Sequence, residues 1–284
     1  MAIVQMKKVS LVILDSTRKA SLKQLRKAGV LHLEAVEGSS PALSAYRESA
    51  AETDKAISIL DEIKESKKSP ALIQEKLGKD SAREKAKEII SLSDRKKTLF
   101  DLISQNKNEL ARLEKWGDID PEEFKAFAEK GIFLYMYEIP SEKYQLIGED
   151  CETVLVNSLN KVSRFLLKSE TELEERPAGL PAEAYAVPLP EYSTRQMKKN
   201  IVDDEHEIES IDKKIFAEKK FRTALIDYKK QLASDIEFEN LYSGMESESS
   251  NENSDGEETK LAWLTGYVPV DSMKGFKAVC AENC

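Results

Sequence analysis

The feature that most constrains this chain is a pair of long stretches that contain neither glycine nor proline. One runs from Glu191 to Tyr242 and the other from Lys79 to Trp116, although the 284-residue sequence has 11 Gly and 9 Pro. These two residue types commonly end helices. Gly loses more backbone freedom than other residues when it becomes helical, and Pro lacks the backbone N–H that a helix needs. Since 33% of the residues are charged and only 7% aromatic, both stretches predict long solvent-exposed helices rather than a compact core.

The apolar residues of these stretches predict that the helices pair with one another. They recur at intervals of three and four residues, the spacing of a coiled-coil seam, as in Met197, Ile201, Ile208, Ile211 and Ile215. About 50 helical residues would span about 75 Å, which no compact domain of this size can enclose. The sequence therefore predicts an antiparallel coiled-coil or helical-bundle arm built from residues 41–116 and 191–242. A break near Pro70–Gly78 would give three or more helices over part of it.

The two chain ends together predict one small α/β lobe, here called the proximal lobe. Val9, Leu11 and Ile13 alternate with neighbours of the opposite face, which is typical of a strand, and a short helix follows that ends at Gly29. Residues 30–34 and 261–269 have strand patterns as well. Residues 1–40 with 259–284 thus predict a split β-α-β, ferredoxin-like sandwich that lacks one strand, as expected for part of a longer chain.

Residues 117–190 predict a second α/β lobe, here called the distal lobe, so that the fold class is α+β with two small lobes joined by the arm. In its aromatic strand, Phe133, Tyr135 and Tyr137 could form either an exposed docking face or the face packed on helices, and packing is the favoured interpretation. Residues 243–258 are rich in acid and serine, and this composition predicts a disordered acidic loop.

No motif for bond chemistry is present, and we predict no catalytic, cofactor-binding or metal-binding residue and no cofactor. The glycine-rich phosphate loops and the G-x-S-x-G elbow are missing. His32 and His206 lie in a predicted strand and a predicted helix without a catalytic partner. The three cysteines, Cys151, Cys280 and Cys284, are too dispersed for a zinc site and are expected to be reduced thiols.

Charge and hydropathy exclude two further classes of function. The net charge is −9 and the isoelectric point is about 5.1, whereas nucleic-acid binding requires a basic surface. No run of about 18 apolar residues is present, so the sequence predicts no bilayer span.

Three short motifs in the same order resemble subunit I, also called subunit a, of V-type and archaeal-type rotary ATPases. The first joins Met6-Lys7-Lys8-Val9 to Gly29-Val30-Leu31-His32-Leu33, and the second is Trp116-Gly117-Asp118 followed by Gly131. The third comprises Trp263, Gly266, Val268 and Pro269, with Tyr267 where the family more often has Trp. The resemblance covers only the N-terminal half of the family, which precedes its membrane domain.

The resemblance implies a mechanical function. The chain would be a non-catalytic stator arm on the cytoplasmic face of the membrane, in ATP-driven proton or sodium transport or in ATP synthesis. Its distal lobe would dock E/G-type peripheral-stalk subunits. Its proximal lobe would lie near the central stalk or rotor cap and the membrane domain of its own full-length chain. The isolated chain is expected to be monomeric.

Two other classes remain open. A coiled-coil tether or scaffold unrelated to rotary ATPases would form parallel homodimers, because its apolar seams would pair between chains. An enzyme is the third class, and a bound nucleotide or metal in the purified protein would indicate it.

Overall fold

The computed structural model describes residues 4–34, 37–63, 73–249 and 260–283. It contains seven helices and eight strands in these ranges. The helices are α1 Arg18–Ala28, α2 Pro41–Glu62, α3 Lys79–Leu113, α4 Pro121–Ala128, α5 Thr194–Glu218, α6 Arg222–Gly244 and α7 Met273–Asn283. The strands are β1 Met6–Leu14, β2 His32–Leu33, β3 Phe133–Pro140, β4 Thr153–Leu159, β5 Val162–Ser169, β6 Tyr185–Val187, β7 Glu246–Ser249 and β8 Lys260–Pro269. The predicted mixture of helices with two small sheets is confirmed.

The chain divides into two compact units, one of residues 1–91 with 216–284 and one of residues 92–215. We call them the first and the second unit. The first unit contains a sheet in which β8 pairs antiparallel with β1 along one edge and with β2 and β7 along the other. Strands β1 and β2, connected through α1, therefore run parallel on either side of β8. This is the order expected of a split β-α-β motif.

Helices α1 and α7 cover one face of this sheet. Its core includes Ile13, Leu22, Leu25, Leu264 and Phe276, all of which are buried. The side chains that face the core alternate along β1 and β8 with side chains of the opposite face, as the pleat of a strand requires.

The same unit contains three packed helices, namely α2, the beginning of α3, and α6. Asp61 pairs with Arg222 and Asp54 with Lys229, so that residue numbers rise along α2 as they fall along α6. The two helices are therefore antiparallel. The buried residues of α2 are Leu43, Ser49, Thr53, Ala56 and Leu60, which do not keep a strict spacing of three and four. A helix with two neighbours buries a wider stripe than a two-stranded coiled coil.

The predicted single helix over residues 191–242 is wrong in one respect. A 3-10 turn at Lys219–Phe221 separates α5 from α6. Gln74 Nε2 donates to the carbonyl of Lys219, and the backbone N–H of Glu75 donates to the carbonyl of Lys220. The backbone of the turn thus bonds to a different segment of the chain, which no local sequence pattern reveals.

The predicted acidic loop also needs correction where it is described. Residues 243 and 244 belong to α6, and residues 246–249 form β7 on the edge of β8, with Glu246 opposite Trp263. The free edge of β8 supplies the backbone partners that the acidic composition alone does not suggest. Residues 250–258 of that predicted loop, and residues 64–72 of the predicted arm, lie outside the described ranges.

The second unit is built on a sheet with the order β4-β5-β3-β6, all antiparallel. One face packs on the ends of α3 and α5 through Trp116, Met136 and Met197. The other face packs on the chain segments around Tyr144 and Leu180. Helices α3 and α5 are antiparallel here, joined by the ion pairs Arg95–Glu207, Lys96–Asp212 and Lys107–Glu205.

Candidate functional site

The motif residues of the two chain ends meet on the sheet of the first unit. Met6 lies opposite Pro269, Lys8 opposite Tyr267, and His32 opposite Tyr267 from the other side. Segments that are more than 200 residues apart in sequence therefore form adjacent strands. These motif residues therefore have a structural role, because they form the contact between the strands of the two chain ends.

Gly266 permits the closest approach in this sheet. A Cβ atom at this position would lie 2.7 Å from the backbone oxygen of His32 and 3.2 Å from Cα of Leu33. Real Cβ atoms essentially never come as close as 2.7 Å, so any side chain would displace β2. The glycine of the third motif is thus required by the histidine segment of the first.

A small polar cluster joins the same three strands on the face away from α1 and α7. Lys8 Nζ lies 2.8 Å from Glu34 Oε1 and 5.8 Å from the centre of the Tyr267 ring. Two hydrogen bonds lower the pKa of Glu34, and the one from Lys8 contributes more than the one from Tyr267. The hydroxyl group of Tyr267 therefore has a polar partner in Glu34. A Trp at this position would have no hydroxyl group to make this hydrogen bond.

Beyond Ser10 and Thr265, which pair on this outward face, lie exposed apolar side chains. Val12 is 62% exposed and Leu14 47% exposed, and they lie opposite Trp263 and Leu261. Scattered exposed apolar residues are normal, but a group on one side of a sheet is typical of a contact surface.

In the second unit, the Trp116 motif joins the end of α3 to the sheet. The buried Trp116 donates from Nε1 to Glu138 Oε1 at 3.1 Å, and Arg164 Nε donates to the same oxygen at 2.8 Å. Asn157 Nδ2 donates to the carbonyl of Lys115 at 2.5 Å, and Arg164 Nη1 contacts Asn157 Oδ1 at 3.4 Å. Buried polar groups need such partners, so the network fixes one arrangement of helix and sheet.

The other two residues of the motif connect the end of α3 to the start of α5. Gly117 has a φ of 85°, in the left-handed region that glycine adopts without strain. Asp118 Oδ1 accepts from Thr194 Oγ1 at 3.1 Å, and the backbone N–H of Ile119 donates to Thr194 Oγ1 at 3.3 Å. The motif therefore connects the end of α3 and the start of α5 to the sheet of the second unit.

The free edge of that sheet is unusually apolar. Strand β4 has no charged residue, and Val154, Leu155 and Val156 are 58%, 48% and 41% exposed. Its register with β5 shifts between Leu155 and Asn157. Edge strands in natural proteins are commonly protected by charges, so an uncharged edge suggests a surface that a partner covers.

The structure places the residues discussed from sequence as follows. Tyr137 is buried and Tyr135 half-buried, but they pack on the Tyr144 and Leu180 side, whereas the ends of α3 and α5 pack on the opposite face. His206 is exposed on α5, and His32 is exposed on β2. Cys151 is a free thiol, Cys280 of α7 is half-buried against the core of the first unit, and Cys284 lies outside the described residues.

Across the described ranges, no group of three or more His, Cys, Asp or Glu side chains is arranged to hold a metal ion. None of the described helices is both long and apolar enough to cross a membrane.

Sequence reasoning missed two surfaces. One is the β4 edge, for which the uncharged segment Thr153–Leu159 was the available signal. The other is α1, which has five basic residues and no acidic one in a chain of net charge −9. Net charge averages over the molecule, so it concealed this local excess.

Comparison with known proteins finds relatives in the same family that the three motifs resemble. The chain is 27% identical over 283 residues to V-type ATP synthase subunit I 1 of Treponema pallidum, covering 99% of this chain and 45% of the relative. It is 25% identical over 280 residues to V-type ATP synthase subunit I of Borreliella burgdorferi, covering 97% of this chain and 42% of the relative. The chain thus spans less than half the length of these relatives.

No family model matches the sequence. Among solved structures, the cytoplasmic N-terminal domain of subunit I, homolog of subunit a, of V-ATPase superimposes with a TM-score of 0.48 and 13% identity over 97% of both chains. The similarity over nearly the entire chain to V-type ATP synthase subunit I confirms the resemblance that the three motifs indicated.

Proposed function

We propose that this chain is the non-catalytic stator arm of a rotary V-type ATPase. The observation that carries the proposal is the similarity to V-type ATP synthase subunit I over 99% of the chain. In such a machine the arm would lie on the cytoplasmic face of the membrane and resist torque while ions cross or ATP is made. Residues 1–40 with 259–284 would be the proximal lobe, residues 117–190 the distal lobe, and residues 41–116 with 191–242 the arm.

The helix contacts within each unit support a load-bearing role over the alternative of a parallel tether. In the first unit α2 and α6 are antiparallel partners within one chain. In the second unit α3 and α5 are likewise joined by three ion pairs. A tether that dimerises through its seams would leave these apolar stripes free for another chain, whereas here they are buried within the chain.

We further propose that the distal lobe docks E/G-type peripheral-stalk subunits through the β4 edge. Its three exposed apolar residues and its unpaired backbone groups offer both apolar contact and strand-edge hydrogen bonds. The proximal lobe would then lie near the central stalk or rotor cap and the membrane domain of the full-length protein.

The test is binding of the chain to purified peripheral-stalk subunits of the same organism at micromolar concentration. We expect a stable complex, and Val154→Lys should weaken it at least about tenfold by burying a charge at the interface. Leu146→Lys is the matched control, because Leu146 is 62% exposed in the same unit but outside β4. Absence of a complex would contradict the stator function, whereas equal binding of both variants would contradict only the β4 surface.

A further inference from the structure

An apolar cleft opens in the first unit between α1, β2 and α6. Its volume is about 170 Å³, and half-buried Leu31, Leu33, Phe238 and Leu241 contribute to its lining. Arg26 and Glu237 are charged residues of the wall. A recess of this size accepts one bulky apolar side chain, as the central pockets of protein interfaces do.

A row of basic side chains on α1 includes Arg26 of the cleft wall. Lys19, Lys23 and Arg26 are spaced by four and three residues, so they lie on one side of the helix, and Lys27 follows beside them. All four are exposed. We call these four residues the basic row.

Within the described ranges, the charges of the basic row are not compensated by acids, whereas those of three lysines at the beginning of α3 are. In the first unit Lys79, Lys85 and Lys87 of α3 each form an ion pair with an acid, including Asp235 of α6 and Glu52 of α2. Among the residues that the structure describes, no ion pair within 4.0 Å involves any member of the basic row. Four adjacent uncompensated cations in a chain of net charge −9 indicate a surface suited to an anionic partner.

We infer that this cleft and the basic row form a docking site for an acidic amphipathic segment of a partner protein. A leucine or phenylalanine of that segment would enter the cleft, and flanking aspartates or glutamates would meet Lys19, Lys23, Arg26 and Lys27. Charge complementarity selects the acidic segment, and the recess selects its apolar side chain.

The shape of the site favours a protein over an anionic membrane surface. Membrane-surface helices present protruding Trp, Phe or Leu side chains beside their basic residues. On α1 the leucines at positions 22 and 25 are buried, and the other outward positions are Ala20 and Gln24. A concave site without protruding apolar groups can receive a side chain but cannot insert into a bilayer.

Glu237 provides an internal check, because among the described residues it is the acid in the wall of the cleft. It is exposed and would repel the carboxylates of an incoming acidic segment. Removing its charge by Glu237→Gln should therefore tighten binding about threefold. A contact that used only the apolar lining would not respond in this direction.

This inference goes beyond the stator function and does not depend on it, because it uses only the geometry and charge of the first unit. The experiment measures fluorescence anisotropy of a labelled amphipathic helical peptide with leucine on one face and glutamate on the other, added to the full chain. We expect binding that weakens at least about tenfold in the Lys23→Glu/Arg26→Glu double variant and that weakens with rising salt.

The matched control is Lys274→Glu/Lys277→Glu on α7, which changes the net charge equally but lies outside the cleft lining. Control peptides replace glutamate with lysine or leucine with alanine, and both should bind at least about tenfold more weakly. Equal weakening by the α7 variant, or no peptide binding, would overturn the inference. Binding to phosphatidylglycerol vesicles without peptide binding would overturn it as well, in favour of a membrane surface.

Discussion

At the scale of single residues, the motif positions act by controlling how closely two chain segments approach. Gly266 leaves room for the backbone of β2, and Trp116 places its ring and its N–H between α3 and the second sheet. Neither residue carries out bond chemistry. Both are positions at which a small change of volume or hydrogen bonding alters the fit of whole elements.

Gly266→Ala should destabilise the chain by about 2 kcal/mol, because the new Cβ would overlap the backbone of His32 and must push β2 away from β8. Urea unfolding followed by circular dichroism measures the change. Gly275→Ala is the control, since nothing lies within 4 Å of its added Cβ and alanine favours helix α7. Equal stability of the Gly266 variant and the native chain would show that β2 can shift freely.

Asp204 offers a test of pH dependence. Burial raises its pKa, the neighbouring Glu207 adds to the rise, and Arg95 opposes it. A folded pKa above the unfolded value means that the folded state binds the proton more tightly. The free energy of unfolding therefore decreases as the pH rises from about 4 through the raised pKa, and the carboxylate costs stability at neutral pH.

Asp204→Asn should thus stabilise the chain at pH 7, by less than about 1 kcal/mol because the site is only partly buried. The gain should vanish near pH 3, where the native carboxyl is protonated in both states. Chemical unfolding at the two pH values measures it. Glu209→Gln, at an exposed position of the same helix, should change stability little at either pH. A loss of stability at pH 7 in the Asp204 variant would contradict the assigned direction.

At the scale of elements, tertiary hydrogen bonds decide where the helices break. The side chain of Gln74 donates to the carbonyl of Lys219 at 3.2 Å and accepts from the backbone N–H of Thr223 at 3.1 Å. Lys219 Nζ also donates to the carbonyl of Ile63 at 2.7 Å. Ile63 at the end of α2 and Gln74 before α3 therefore stabilise the 3-10 turn between α5 and α6 through hydrogen bonds.

Gln74→Ala should destabilise the chain by about 1 kcal/mol, because two hydrogen bonds, one to the 3-10 turn and one to the start of α6, are lost at an exposed site. Amide hydrogen exchange at residues 219–223 should become faster, while exchange in the second unit's sheet stays unchanged. Gln24→Ala, on the exposed side of α1, is the matched control and should leave exchange at the turn as it was. Unchanged exchange in the Gln74 variant would show that the turn forms without this contact.

At the scale of the whole molecule, the two functional alternatives predict different masses in solution. Burial of the α2, α5 and α6 stripes within one chain predicts a monomer of 32.0 kDa. A parallel tether predicts twice that mass, because its seams would pair between chains. Light scattering at several concentrations distinguishes them. A stable dimer at micromolar concentration would favour the tether over the stator arm.

Local patterns in the sequence were sufficient for most of the helices and for most of their buried residues. Runs without Gly or Pro and regular apolar spacing act through neighbouring residues, so they can be read along the chain. Met197, Ile201, Ile208, Ile211 and Ile215 are buried as that spacing predicts. The alternation of apolar residues likewise predicted β1 and β8 as strands, and the out-and-back order of the helices predicted that the two chain ends join in one lobe.

Only the tertiary structure decided features that depend on residues far apart in sequence. The 3-10 turn at Lys219–Phe221 exists because Gln74 and Glu75 take part in its hydrogen bonds, and β7 exists because β8 has a free edge. The cleft beside the basic row likewise needs α1, β2 and α6 together. Sequence determines what each segment can form by itself, whereas contacts between distant segments determine where backbone groups find partners and where surfaces remain open.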